Sequence, residues 1–137
     1  MNPDRPQPLF RQIDCIRLPV SDLDEALAFY RDRLGHELVW RSDRSAGLRM
    51  PDTDTEIVLH TEEHGQEIDL KVASADAAAA RFVEAGGTIL VPPFDIQIGR
   101  CVVVADPWGN PLVLLDTSKG LLITDDAGNI IGNKTES

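Results

Sequence analysis

Hydrophobic and polar positions along this chain change their period twice, in the same order. Ile16, Leu18 and Val20 alternate with polar neighbours, as in a half-buried strand, and Leu23, Ala26, Leu27 and Tyr30 then recur at helical spacing. The pattern returns further on. Residues 15–39 and 67–91 align without a gap, Cys15 falling on Glu67, Arg17 on Asp69 and Val39 on Val91, with Ile16/Ile68, Leu18/Leu70, Val20/Val72 and Leu38/Leu90 identical. Two copies of one supersecondary unit therefore build the chain. Asp22 and Ser74 stand where helix N-caps belong, Asp24 and Glu25 complement the dipole of the first turn, and Gly35 and the pair at 86–87 stop the helices. Extended segments follow each helix, at 36–42, 45–50 and 55–61 and again at 88–91, 100–105 and 111–116, so each half predicts one strand, one helix and three strands.

In order along the chain come a strand, a VSD cap at 20–22, FY on the helix at 29–30, an LG stop at 34–35 and the turn DPWGN at 106–110. Over residues 13–117 this resembles the vicinal oxygen chelate superfamily, which includes glyoxalase I, extradiol dioxygenases, and fosfomycin and bleomycin resistance proteins. The resemblance implies an α+β fold in which two tandem βαβββ modules, at 13–61 and 67–117, curl into a cupped mixed sheet around one site. It implies no single reaction, since one fold hosts lyases, oxygenases, transferases and plain binding proteins.

Outside that region, residues 1–12 are proline-rich and polar and read as a flexible arm that can pack through Leu9 and Phe10. Residues 118–137 form an extension and tail, in which 121–124 and 129–132 read as strands of a hairpin turning at 125–128. Leu122, Ile123, Ile130 and Ile131 are expected to pack on the domain or on a partner subunit. The sequon at 133–135 is read as chance. Composition narrows the partners. A net charge of −10 argues against nucleic acid and against an anionic membrane, and no apolar run approaches the roughly 20 residues of a membrane span. Cys15 and Cys101, with no secretory signal ahead of them, read as reduced thiols of a cytoplasmic protein.

Alternation assigns the chemistry. With Ile16, Leu18 and Val20 toward the helix, Cys15 and Arg17 face the cup, and the repeat sends Glu67, Asp69 and Lys71 to matching positions. Ile57 and Leu59 point to the helix layer, leaving Glu56, Val58 and His60 on the cup face, and from the last strand either Val113 and Leu115 or Leu112 and Leu114 face it, the spacing from the turn at 109–110 favouring Val113. Arg17 and Asp69 are expected to pair at the cup floor. Cys15 is either an inert buried thiol or, beside Arg17 and Lys71, a favoured thiolate and nucleophile. Trp40, Trp108, Phe94 and a loop over 91–99 supply walls, Trp40 and Trp108 being equally compatible with packing and with covering a turn, respectively. The pattern H-x-x-E-H at 60–64 lies between two strands rather than on a helix, so it reads as a rim His60 and an exposed His64 and not as a metalloprotease site.

Metal-dependent members of the family that this chain resembles place one ligand on the first strand of each module and another near each module's end. Carried over, those slots hold Cys15, Glu67, Val113 and either Glu56 or Val58. A valine cannot ligate, so no metal and no other cofactor is expected; a divalent ion, if held, would rest on Cys15, Glu56 and Glu67. The expected function is that of a small-molecule binding protein of the glyoxalase/bleomycin-resistance type, a homodimer, with Cys15, Arg17, Glu56, His60, Glu67, Asp69, Phe94 and Trp108 as ligand-binding residues. The alternative is a metal-dependent lyase or dioxygenase with a non-standard ligand set. Catalytic residues stay unassigned.

Overall fold

The structure is a computed structural model and describes residues 7–134. Module one comprises β1 (Gln12–Pro19), helix α1 (Leu23–Leu27) widening into a π-helical turn (Ala28–Arg33), β2 (Glu37–Arg41), β3 (Ser45–Met50) and β4 (Thr53–His60). Module two repeats this as β5 (Glu67–Lys71), α2 (Ala75–Glu84), β6 (Thr88–Ile96), β7 (Gly99–Ala105) and β8 (Pro111–Leu115), and β9 (Leu121–Thr124) with β10 (Ile130–Lys134) form the terminal hairpin. The side chains of Asp22 and Ser74 cap the helices by accepting from Glu25 N and Ala77 N. Gly35 and Gly86, both at positive φ, end them.

Eight strands form one sheet in the order β2-β3-β4-β1-β5-β8-β7-β6. The two modules meet at the antiparallel pair β1 and β5, where Cys15 faces Asp69, Ile16 faces Ile68 and Arg17 faces Glu67. The pseudo-twofold axis thus runs through Ile16 and Ile68. Each module keeps its own core on the helix side of the sheet. Leu23, Ala26 and Leu27 pack on Ala46, Leu48 and Leu59 in module one, and Ala75, Ala78 and Ala79 pack on Val72, Val102, Val104 and Leu114 in module two. Fully burying a side chain such as Leu27, Leu48 or Leu59 stabilises the fold by about 1.5–3 kcal/mol.

One expectation changes. The segment read as a loop at 91–99 is mostly strand, because β6 continues through both prolines to Ile96. An edge strand tolerates residues that cannot donate to the ladder, and the pairing with β7 shifts register around them. The hairpin, expected to pack on the domain or on a partner subunit, packs on its own domain. Its tip joins edge strand β2, where Arg41 N donates to Gly128 O at 2.7 Å. Its base joins the β6–β7 turn, where Asn133 Nδ2 donates to Gln97 O at 2.8 Å and Lys119 N to Ile98 O at 2.9 Å. Ile131 stays exposed.

Candidate functional site

The concave face of the sheet encloses a cavity of about 1020 Å³. The central strands contribute Asp14, Cys15, Arg17, Glu67, Asp69 and Lys71 to its lining, β4 contributes Glu56 and Val58, and β2 contributes Trp40. On the opposite side Phe94, Ile96, Cys101, Val103, Val113 and Leu115 make an apolar wall, and Leu121, Leu122, Thr124 and Ile130 of the hairpin close over it. Cys15, Arg17, Glu56, Glu67 and Asp69 are thus brought together as the alternation predicts, and Phe94 joins them from the wall.

His60 and Trp108 are placed elsewhere, which corrects the expected lining. Trp108 lies on the exposed turn where Asp106 accepts from Trp108 N and Asn110 N. His60 is fully buried at the end of β4, and the segment after it folds back so that His64 stacks on its ring at 4.2 Å. The alternation of β4 holds, but His64 takes the exposed position in front of it. Asp14 is an addition that alternation could not find. A bulge between Ile13 and Cys15 inserts one residue into β1, which turns both Asp14 and Cys15 to the cavity.

Arg17 pairs otherwise than expected. Its guanidinium lies 3.6 Å from Glu67 and 3.8 Å from Glu62, because a twofold axis through Ile16 and Ile68 sets each residue opposite the neighbour of its equivalent. Asp69 receives the thiol of Cys15 instead, Sγ donating to Oδ2 at 3.3 Å. Its other oxygen, Oδ1, is buried and has no hydrogen-bond partner among the described residues. Burial, and then the adjacent Glu67 carboxyl, push the Asp69 carboxyl up to about 8, with Arg17 pulling the other way. Burial also raises Asp14 and Glu56, the latter held back by the Trp40 indole N–H donated to Oε1 at 2.7 Å. The Cys15 thiol is pushed well up by burial and by Asp69 and Asp14, and Cys101 to about 12 chiefly by burial. Cys15 is accordingly a neutral donor, and the thiolate reading falls.

The ladders also settle which residue of β4 mirrors Val113. Arg17 pairs with Val58 as Asp69 pairs with Val113, so Val58 and Val113 are counterparts and both are buried. A family-type metal does not fit here. Two valines occupy equivalent slots, Cys15 is engaged with Asp69, Glu56 with Trp40 and Glu67 with Arg17. Among the described residues, His60, Glu62 and His64 are the one group of three whose ligand atoms lie within 4.8 Å of one another. Their geometry is not convergent. The two rings are stacked with 21° between their planes, His60 Nδ1 accepts from Glu62 N, and Arg17 shares Glu62 with His64. In-plane lone pairs of stacked rings run alongside each other instead of meeting at a point. A buried imidazole next to His64 and Arg17 also stays neutral, since burial lowers the His60 pKa first and those neighbours lower it further.

Comparison with known proteins supports this architecture. The solved structures include methylmalonyl-CoA epimerase from Mycobacterium tuberculosis, 22% identical over 79% of this chain and 89% of that one, with a TM-score of 0.66. A variant of the Streptomyces coelicolor methylmalonyl-CoA epimerase in complex with 2-nitronate-propionyl-CoA is 23% identical over 80% and 99%, also at 0.66. A structure described as NAD-dependent benzaldehyde dehydrogenase from Legionella pneumophila is 21% identical over 75% and 97%, at 0.63. At these identities the likeness is one of fold. A search of curated proteins by sequence returns no match. The profile of the Glyoxalase/Bleomycin resistance protein/Dioxygenase superfamily matches residues 12–114, and with its two mirrored modules the chain belongs to that superfamily.

Proposed function

We propose that this protein binds a small organic molecule in the cup between its modules and does so without a metal at the superfamily's usual positions. One observation carries the reading: Val58 and Val113, at 2% and 8% exposure, are symmetry counterparts in the two slots where carboxylate ligands would be needed. The apolar wall of module two and the hairpin then face the polar central strands, an arrangement suited to a ligand with an apolar body and a polar end. Some structural neighbours are described as complexes with coenzyme A esters, which supports a small-molecule ligand without naming it. Native mass spectrometry of freshly purified protein, with elemental analysis of the same sample, tests the reading. A co-purifying organic mass and far less than one equivalent of any divalent metal are expected; stoichiometric metal lost in Glu67→Ala or Glu56→Ala overturns it.

The gathering of His60, Glu62 and His64 favours a second reading, metal-assisted chemistry at the rim of the cup, which requires His64 to leave the stack. Metal lost in His64→Ala and not in Glu56→Ala would select it. A homodimer remains the expected assembly, since Leu90 and Val91 are exposed on edge strand β6. Light scattering at micromolar concentration tests it, and a monomeric mass overturns it.

A further inference from the structure

The cup concentrates carboxyl groups, of which Asp69 is buried and Asp14, Glu56 and Glu67 are half-buried. Asp14, Asp54, Glu56, Glu62, Glu67 and Asp69 line the cavity, while Arg17 and Lys71 are the only arginine and lysine among the described lining residues. Arg17 is committed to Glu62 and Glu67, and Lys71 stands nearest in effect to Asp14. Glu56 has one donor, Trp40. Asp69, only 5% exposed, has one donor on Oδ2 and an Oδ1 with none. A buried polar atom without a partner carries an uncompensated desolvation cost, which a ligand that pairs with it recovers on binding. With Asp14, Glu56, Glu62 and Glu67 around it, a cationic donor fits this place, whereas a carboxylate or phosphate end group would meet like charge. The cavity is also far larger than a hydrated ion, and its opposite wall is apolar.

From this we infer that the cup takes an organic cation, a primary or secondary ammonium carried on an apolar body, with the charged nitrogen at Asp69 and Glu56 and the body against Phe94, Val113 and Leu122. The inference rests on the binding reading above and specifies the ligand's class. It has a proton consequence. Near neutral pH Asp69 is mostly protonated, and a bound ammonium favours the carboxylate, so binding expels a proton and tightens as pH rises. The titratable and charged groups facing Asp69 are Asp14, Cys15 and Arg17 from β1, Glu67 and Lys71 from β5, Cys101 from β7 and Glu56 from β4, with Glu62 and His64 at the rim. Cys15 and Cys101 stay neutral throughout the window.

Isothermal titration calorimetry with three probes of one shape, naphthylmethylamine, naphthylmethanol and naphthoate, tests the assignment on the full chain. The amine should bind on the order of tenfold or more tighter than the alcohol, which is the discrimination that about 1.4 kcal/mol provides. Naphthoate should bind weakest. Between pH 6 and 8, where the amine keeps its charge, its affinity should climb by up to about tenfold per pH unit, with close to one proton released to buffer. Asp69→Asn should abolish that slope, and Glu56→Gln, a milder change, should weaken amine binding more than alcohol binding. If alcohol and amine bind equally, or naphthoate binds best, the charge assignment is overturned and the cup remains a binding site. If none of the three binds at millimolar concentration, the binding reading falls with it.

Discussion

The two modules carry one backbone plan and fill its corresponding positions differently, and the differences collect on the concave face. In module one Gly47 pairs with Val58, and in module two Val103 pairs with Val113 in the same place. Val103 fills its own space. Gly47 leaves a hole that the indole of Trp40 covers, and a Cβ built on Gly47 would lie 2.0 Å from Trp40 Nε1. Removing one side chain thus lets an aromatic N–H reach Glu56 inside the cup. The same comparison sets His60 against Leu115, whose carbonyls accept from Val20 N and Val72 N, and Thr61 against Asp116, whose amides donate to Arg44 O and Arg100 O. Duplication supplies the scaffold; the site comes from unequal substitution within it.

Asp116 is where module two departs most in energy. Its buried carboxylate accepts from Ala75 N at the start of α2, from Arg100 N, and from Ser118 N and Oγ, whereas Thr61 only donates its hydroxyl to Arg44 O. Burial alone would raise the Asp116 pKa, and these hydrogen bonds outweigh it and hold it low. Asp116→Ala should cost about 3 kcal/mol or more, by orphaning buried donors, while Thr61→Ala costs under about 1 kcal/mol; urea unfolding of both variants measures the contrast. Equal costs would mean the modules are latched alike.

Giving module one the residue of module two, Gly47→Val, should expel the indole and cost about 2 kcal/mol. The emission of Trp40 should move to the red, read in a Trp108→Phe background because Trp108 is already exposed. Unchanged emission would place the indole elsewhere.

Asp69 has Arg17 as its counterpart and titrates in the opposite sense to a paired surface acid. Its carboxyl is raised from 3.8 to about 8, so the folded state holds a proton that the unfolded chain releases. The stability it confers is complete below about pH 4 and is lost as pH rises toward 8. Asp69→Asn should therefore gain on the parent as pH rises from 5 to 8, by at most about 1.4 kcal/mol per unit. A constant difference between the two proteins would show that Asp69 is ionised throughout.

The smallest effect is expected at His60→Leu, which installs the residue of module two. It removes a buried Nε2 without a partner and should leave stability within about 1 kcal/mol of the parent at pH 8. The variant should gain below pH 6.5, because a His with a lowered pKa contributes stability that is lost on acidification. Thermal melts at pH 5 and 8 decide it.

What the residues alone made legible follows from period. Strand alternation and the repeat placed Cys15, Arg17, Glu56, Glu67 and Asp69 on one face, since a pleated strand leaves no other choice. Asp14 escaped because a bulge breaks the period without a marker in composition. The Arg17 pairing escaped because equivalence under the repeat says which residues match, whereas contact depends on where the axis crosses the ladder, here at Ile16 and Ile68. His60 and His64 met through a turn, which has no period to read.

The bond from Arg41 N to Gly128 O has a consequence for the order in which this chain matures. Module one has its helix, its core and three of its sheet contacts within its own residues, so it can condense early in synthesis. Its outer edge β2 stays without the hairpin tip until residue 128 and its neighbours have emerged. For that interval the nascent protein shows an unpaired strand edge beside an unroofed cavity, the kind of surface on which copies associate wrongly and chaperones act.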